Sequence, residues 1–159
     1  MPFAADRVRE SPRRRASGRS EEAAIERVID QMVLAIRTGN VEALISLCAP
    51  EIATFDMVPP LRHDGREALR KLWADALAAY ERPLDYEVNQ LEIIAGSDVA
   101  ICRSLNRFGG SRKGADPVVN WLCSTICLRK IDGQWKIVHE HTSVPFDMRS
   151  GKALLHLGA

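Results

Sequence analysis

Apolar residues in the first half of this chain recur at helical spacing. Ile25, Val28, Ile29, Met32 and Ile36 share one face behind Ser20, a helix-capping residue, and Gly39 supplies a stop. Asn40 then caps a short second helix carrying Val41, Leu44, Ile45 and Cys48, closed by Pro50. Ile52 to Met57 is brief and apolar enough for a strand, and Pro59-Pro60 forces a loop after it. Asp64 with Glu67 makes a capping-box start for a third helix, whose buried stripe is Leu69, Leu72, Trp73, Ala76, Leu77 and Tyr80. Pro83 closes that helix.

Beyond Pro83 the period changes. Asp85 to Ile94, Asp98 to Phe108, Val118 to Lys130 and Gln134 to Thr142 are rich in β-branched and aromatic residues, with Gly, Ser, Asp or Pro between them. Helices followed by sequential strands predict an α+β domain, a curved antiparallel sheet with helices on one face. Asp132-Gly133 reads as a two-residue hairpin turn that requires positive φ. It sets Ile131 opposite Gln134, Leu128 opposite Ile137, Ile126 opposite His139 and Ser124 opposite His141. One face then carries Leu122, Ser124, Ile126, Leu128, Trp135, Ile137, His139 and His141, and is expected to meet the helices. The other carries Trp121, Cys123, Cys127, Val138 and Glu140, too apolar for plain solvent, so a second sheet or a second copy of the chain is expected to cover it.

The chain has 159 residues, 46% hydrophobic and 27% charged, enough for one domain with a sizeable core. No apolar run is long enough to cross a bilayer, and the N-terminus lacks the apolar stretch of a secretory signal. Cys48, Cys102, Cys123 and Cys127 form no C-x-x-C pair, which fits reduced thiols in a cytoplasm. The net charge of +1 conceals a basic stretch: residues 1–19 hold six arginines against Asp6 and Glu10, leaving 16 basic and 19 acidic residues behind them. Residues 1–19 therefore read as a solvated, disordered tail, 20–148 as the domain and 149–159 as an extension. Without interleaved aromatics or a binding module, the tail does not make nucleic acid an expected partner.

Helices before a curved sheet, and the ending Asp132-Gly133-Gln134-Trp135-Lys136-Ile137-Val138-His139-Glu140-His141-Thr142-Ser143-Val144-Pro145, resemble the SnoaL-like and ketosteroid-isomerase-like branch of the nuclear transport factor 2-like superfamily. The resemblance covers Glu21 to about Met148. It implies a cone: three N-terminal helices on the concave face of a strongly curved, largely antiparallel sheet with a mixed edge. It further implies a central apolar pocket and a homodimer formed through the outer sheet face. The architecture hosts isomerases, cyclases, dehydratases and non-enzymatic binders, so the reaction must be argued from the site.

Asp56, at the end of the short strand, matches within a residue or so the general-base position of ketosteroid-isomerase-like enzymes. An apolar pocket would make it a better base for a carbon acid. Alternatively, Asp56 only starts the Pro59-Pro60 loop and caps local backbone groups. The tyrosine and aspartate oxyanion pair of ketosteroid isomerase, a worked example in general treatments of catalysis, is missing: the first helix offers Met32, Val33 and Ile36, and the strands from Val99 to Phe108 and Val118 to Leu128 contain no acid. His141, Ser124 and Asn120 are the expected substitute donors. His139 and His63 are expected pocket residues, and the pair His139 and His141 with His63 or Asp56 matches a metal set by residue type alone, so no metal is assigned. Trp73 is expected in the pocket wall. Arg103 binds an anionic group if its face points inward, and is a surface arginine if outward. Gly109-Gly110-Ser111-Arg112-Lys113-Gly114 lacks phosphate-loop spacing and reads as a hairpin loop, so no cofactor is expected.

The resulting expectation is a cytoplasmic protein that takes a small apolar carbonyl compound, with Asp56 moving a proton and His141 steadying the oxyanion. A pocket that binds a ligand or protein partner without chemistry is the alternative.

Overall fold

The computed structural model of the chain describes residues 12–112 and 114–158. Three helices, α1 (Pro12–Thr38), α2 (Val41–Ser46) and α3 (Gly65–Ala78), accompany six strands: β1 (Cys48–Phe55), β2 (His63–Asp64), β3 (Asp85–Ala95), β4 (Val99–Ser111), β5 (Pro117–Ile131) and β6 (Gln134–Ser143). The strands form one sheet in the order β2-β1-β6-β5-β4-β3. Only β1 and β6 run parallel, and the sheet does not close into a barrel. This is the expected α+β architecture with its mixed edge, because the chain must cross back under the sheet before β6 can join β1.

The apolar periodicities become the core. Ile25, Ile29, Met32 and Ile36 of α1 are buried against the sheet, each such burial contributing about 1.5–3 kcal/mol. Gly39 adopts φ 65°, a left-handed conformation that ends α1, and Asn40 accepts a hydrogen bond from the Ala43 amide at 3.0 Å to start α2. Glu21 ties α1 to the terminal hairpin, accepting from Lys130 Nζ at 2.6 Å and Trp135 Nε1 at 2.7 Å. Asp132 and Gly133, at φ 50° and 77°, form the positive-φ hairpin turn.

Several local expectations are corrected. The first helix begins at Pro12 rather than Ser20, proline being preorganised for a first helical turn; residues 1–11 of the expected tail lie outside the described residues. Asp64 makes no capping bond to α3, since its carboxylate pairs with Arg62 at 2.7 Å and Glu67 turns to Arg70. His63 and Asp64 pair with β1 as a short edge strand instead of lying in a loop. β4 extends through Gly109, Gly110 and Ser111.

The largest correction is in β6. The expected register holds from Ile131 and Gln134 to Leu128 and Ile137, and then Val138 bulges out. Cys127 faces His139, Ile126 faces Glu140, Thr125 faces His141 and Ser124 faces Thr142. One surplus residue exchanges the faces of everything beyond it. Glu140 therefore points inward and is buried, whereas His139 and His141, expected inside, lie on the outer face. The pairing with β1 fixes this arrangement: Leu47 O accepts from the Ile137 amide at 3.0 Å, and His139 Nδ1 reaches the Ala53 carbonyl at 2.7 Å.

Candidate functional site

With the faces settled, the polar side chains on the helix-covered side can be traced strand by strand. Thr54 of β1 lies beside Glu140 of β6, and Glu140 faces Ile126 of β5. On the next row Thr142 faces Ser124, which in turn faces Ser104 of β4. Asn106, two residues along β4 and so on the same face, is 1% exposed. Its Nδ2 donates to the Tyr86 hydroxyl of β3 at 2.8 Å, while its Oδ1 accepts from Ser104 Oγ at 2.8 Å. The interior thus holds a polar band in an otherwise apolar core. Two of its hydroxyls, Thr54 Oγ1 and Ser124 Oγ, are buried with no hydrogen-bond partner among the described residues.

Glu140 dominates the electrostatics of this band. It is 8% exposed, and burial is the main reason its carboxyl is pushed up to about 7; the nearby charge of Asp56 adds to the rise and a hydrogen bond with Thr142 opposes it. Its own charge acts on its surroundings. The Cys48 thiol is pushed up to about 12, chiefly by burial and next by Glu140, and the Tyr86 phenol is raised by the same two causes in the same order.

The expected site residues divide between the two faces. Ser124 is buried on the inner face, and Asn120, opposite Phe108, is half-buried on that face. Asp56 follows β1 at the edge of the band, half-buried, with Oδ1 accepting from the Val58 amide at 2.9 Å, as the loop-capping alternative anticipated. His63 pairs with Thr54 across the sheet edge, its Nε2 lying 3.1 Å from the Val58 carbonyl. Trp73 is half-buried on α3 in the stripe of Leu69 and Leu77, packed against the core.

His141 is exposed and His139 half-buried on the outer face, their rings 5.9 and 4.8 Å from the Phe55 ring. The inward pairing of His141 with Asp56 is thereby overturned, because the Val138 bulge carries the imidazoles through the sheet. Arg103 takes the outward alternative, with Nε 3.1 Å from Glu92 Oε2. Among the described residues no three His, Cys, Asp or Glu side chains converge as metal ligands.

Sequence reasoning missed Glu140, Thr54 and the Ser104-Asn106 pair. Ser104 and Asn106 were visible as alternate polar residues in the apolar run Ala100 to Phe108. For Glu140 the one mark was the adjacent pair Ile137-Val138, a break in strict alternation. Two surface clefts lie apart from the band. One of about 440 Å³ includes Asp85, Arg107, Gly109 and Val119 in its walls, and one of about 410 Å³ runs between α1 and β3 past Asp30, Arg37 and Asn89.

Three helices with an open, mixed six-stranded sheet define an NTF2-like α+β cone. The chain belongs to the SnoaL-like domain family, which it matches over residues 25–147. It is similar in structure to an NTF2-like protein of unknown function from Pseudomonas putida KT2440, with 30% identity over 89% of this chain and 98% of that one and a TM-score of 0.81. A ketosteroid isomerase-like protein from Erwinia carotovora atroseptica shares the fold at 19% identity, covering 77% of this chain and 95% of that one, with a TM-score of 0.67. A candidate dehydratase of the NTF2-like family from Streptomyces avermitilis does so at 17% identity, covering 79% and 97%, with a TM-score of 0.67. No protein with a curated description matches the chain. Among the described residues no helix is long and apolar enough to cross a membrane.

Proposed function

We propose that this chain binds a small, largely apolar carbonyl compound against its concave face and moves a proton on it, with Glu140 and Asp56 as the acid and base. The observation that carries this reading is the placement of two carboxyls at one end of the polar band, Glu140 paired with Thr54 across the sheet and Asp56 two residues beyond Thr54. One of them, Glu140, is buried and titrates near neutrality, where a carboxyl can both take a proton from a carbon acid and return it. Thr54 and Ser124 offer unspent hydroxyls to a developing oxyanion, and Asn120 stands on the same face. Glu140 stands on the inner face where His141 was expected, Thr54 and Ser124 take the oxyanion part expected of His141, and isomerase-like and dehydratase names among proteins of this fold agree with proton-transfer chemistry.

Native mass spectrometry of the purified protein against a panel of small ketones and enones, followed by deuterium exchange at the bound ligand's α-carbon, tests the reading. Glu140→Gln and Asp56→Asn are each expected to abolish exchange while leaving affinity nearly intact; in the latter variant the amide oxygen would still accept from Val58. Full exchange in both variants sinks the assignment.

A second reading, ligand binding without chemistry, is favoured by the engagement of Asp56 in its own loop. It expects binding with no exchange in any form of the protein. Under either reading we place the chain in the cytoplasm as a homodimer. Its four thiols are unpaired, and the outer sheet face exposes Phe55, Ile94, Val99 and Ile101.

A further inference from the structure

We propose that Tyr86 is the hydrogen-bond donor that holds the oxygen of the bound ligand, its phenol proton aimed into the band by Asn106 and Ser104. The proposal rests on the carbonyl reading above and assigns the contact on which ligand choice turns.

The phenol is 4% exposed, on the inner face of β3. Its oxygen already accepts from Asn106 Nδ2, so that lone pair is spent and the hydroxyl proton must point elsewhere. Asn106 cannot take that proton as oriented, because its Oδ1 is turned to Ser104 Oγ and its Nδ2 only donates. Among the described residues no acceptor is bonded to the Tyr86 hydroxyl. Ser104 and Asn106 are held two residues apart on one strand, so the amide plane and the phenol are set by the sheet rather than by solvent.

A buried donor fixed from behind and unspent in front suits a group that only accepts. A ketone or aldehyde oxygen is such a group, whereas a ligand ammonium or hydrocarbon would leave the phenol unpaired. Burial keeps the phenol protonated, as a donor must be. Ser104, which holds the Asn106 amide, faces Ser124, and Ser124 faces Thr142, two residues along β6 from Glu140, so the donor and the acid/base carboxyl belong to one polar band.

Acetophenone and α-methylstyrene have the same outline and differ in C=O against C=CH2, so their affinity ratio reads the oxygen alone. Ligand-observed NMR titration of the wild-type chain is expected to favour acetophenone by about tenfold, the size of one good hydrogen bond. Tyr86→Phe is expected to bring the ratio to within about twofold of unity with α-methylstyrene affinity unchanged, circular dichroism confirming the fold. Asn106→Asp offers two acceptor oxygens, so the phenol should turn back toward residue 106 and the preference should vanish with Tyr86 still present.

A ratio that survives Tyr86→Phe overturns the donor and leaves the carbonyl reading standing. One that survives Asn106→Asp overturns the aiming. A wild-type chain that binds neither probe, or both equally, overturns the donor and the carbonyl reading together.

Discussion

Replacing Glu140 with glutamine keeps the outline of the side chain and removes its proton chemistry, so stability as a function of pH becomes a direct reading of the buried carboxyl. In the unfolded chain the group titrates near 4.5, and in the fold near 7, mainly because burial disfavours its charge and secondarily because Asp56 is close. Below 4.5 both states hold the proton and the carboxyl adds no penalty. Between 4.5 and about 7 the unfolded chain ionises first, so the folded state binds more protons and stability falls as pH rises. Above about 7 the folded carboxyl is also ionised and the penalty levels off.

At about 1.36 kcal/mol per pH unit, the whole fall is about 3 kcal/mol, or on the order of 10 °C in Tm for a chain of this size. Burying the glutamine amide costs something as well, but equally at every pH. Urea denaturation of wild type and Glu140→Gln from pH 4 to 8 is therefore expected to show a difference that grows in favour of the variant by about 3 kcal/mol and then flattens. A difference that stays constant across that range would refute both the burial and the inward face of Glu140. Asp56→Asn removes the secondary cause, so the fall should end at a lower pH and be smaller without vanishing.

Two further outcomes follow from the outer face and the bulge. Ile101 is 44% exposed on the outer side of β4, directly opposite Cys127. Size exclusion with light scattering is expected to give a dimer for the wild-type chain and a monomer for Ile101→Asp, and a monomeric wild type removes the sheet-to-sheet contact. Deleting Val138 takes out the surplus residue while leaving Cys127 opposite His139 and Ile126 opposite Glu140. The deletion chain should fold and keep the pH-dependent fall in stability, and a flat profile would mean that Glu140 had moved to the outer face.

Much of the fold was legible because local chemistry and tertiary packing agreed. The stripe Ile25, Ile29, Met32 and Ile36 can bury itself only as a helix, Gly39 and Asn40 punctuate it, and Asp132-Gly133 admits few conformations other than the turn observed. The four long strands fall close to their expected limits for the same reason. What failed was set by competing partners that residue type does not reveal. Asp64 is a sound cap by its residue type, but Arg62 offers its carboxylate a charged partner. The edge strand at His63 exists because β1 has an unpaired side, which no local pattern announces.

The site was legible by half. Asp56, Ser124 and Asn120 came from their strand positions, which the structure keeps. His139 and His141 were placed by counting in twos from the turn, and that count is valid only up to the first bulge. Tyr86 and Asn106 needed the pairing of β3 with β4, in which Gln90 at φ 52° interrupts the ladder between Asn89 and Glu92, so their meeting could not be read from either strand alone.

The bulge at Val138 also makes β6 a selector. His139, Glu140 and His141 offer an imidazole, a carboxyl and an imidazole in succession, and the sheet admits every other one to the interior. With the surplus residue ahead of this triplet the inside receives the acid; with it behind, the same three residues would deliver two imidazoles. One stretch of sequence therefore encodes two proton inventories. A lineage can pass from one to the other by relocating a single residue along the strand, with no replacement of any side chain that touches a ligand.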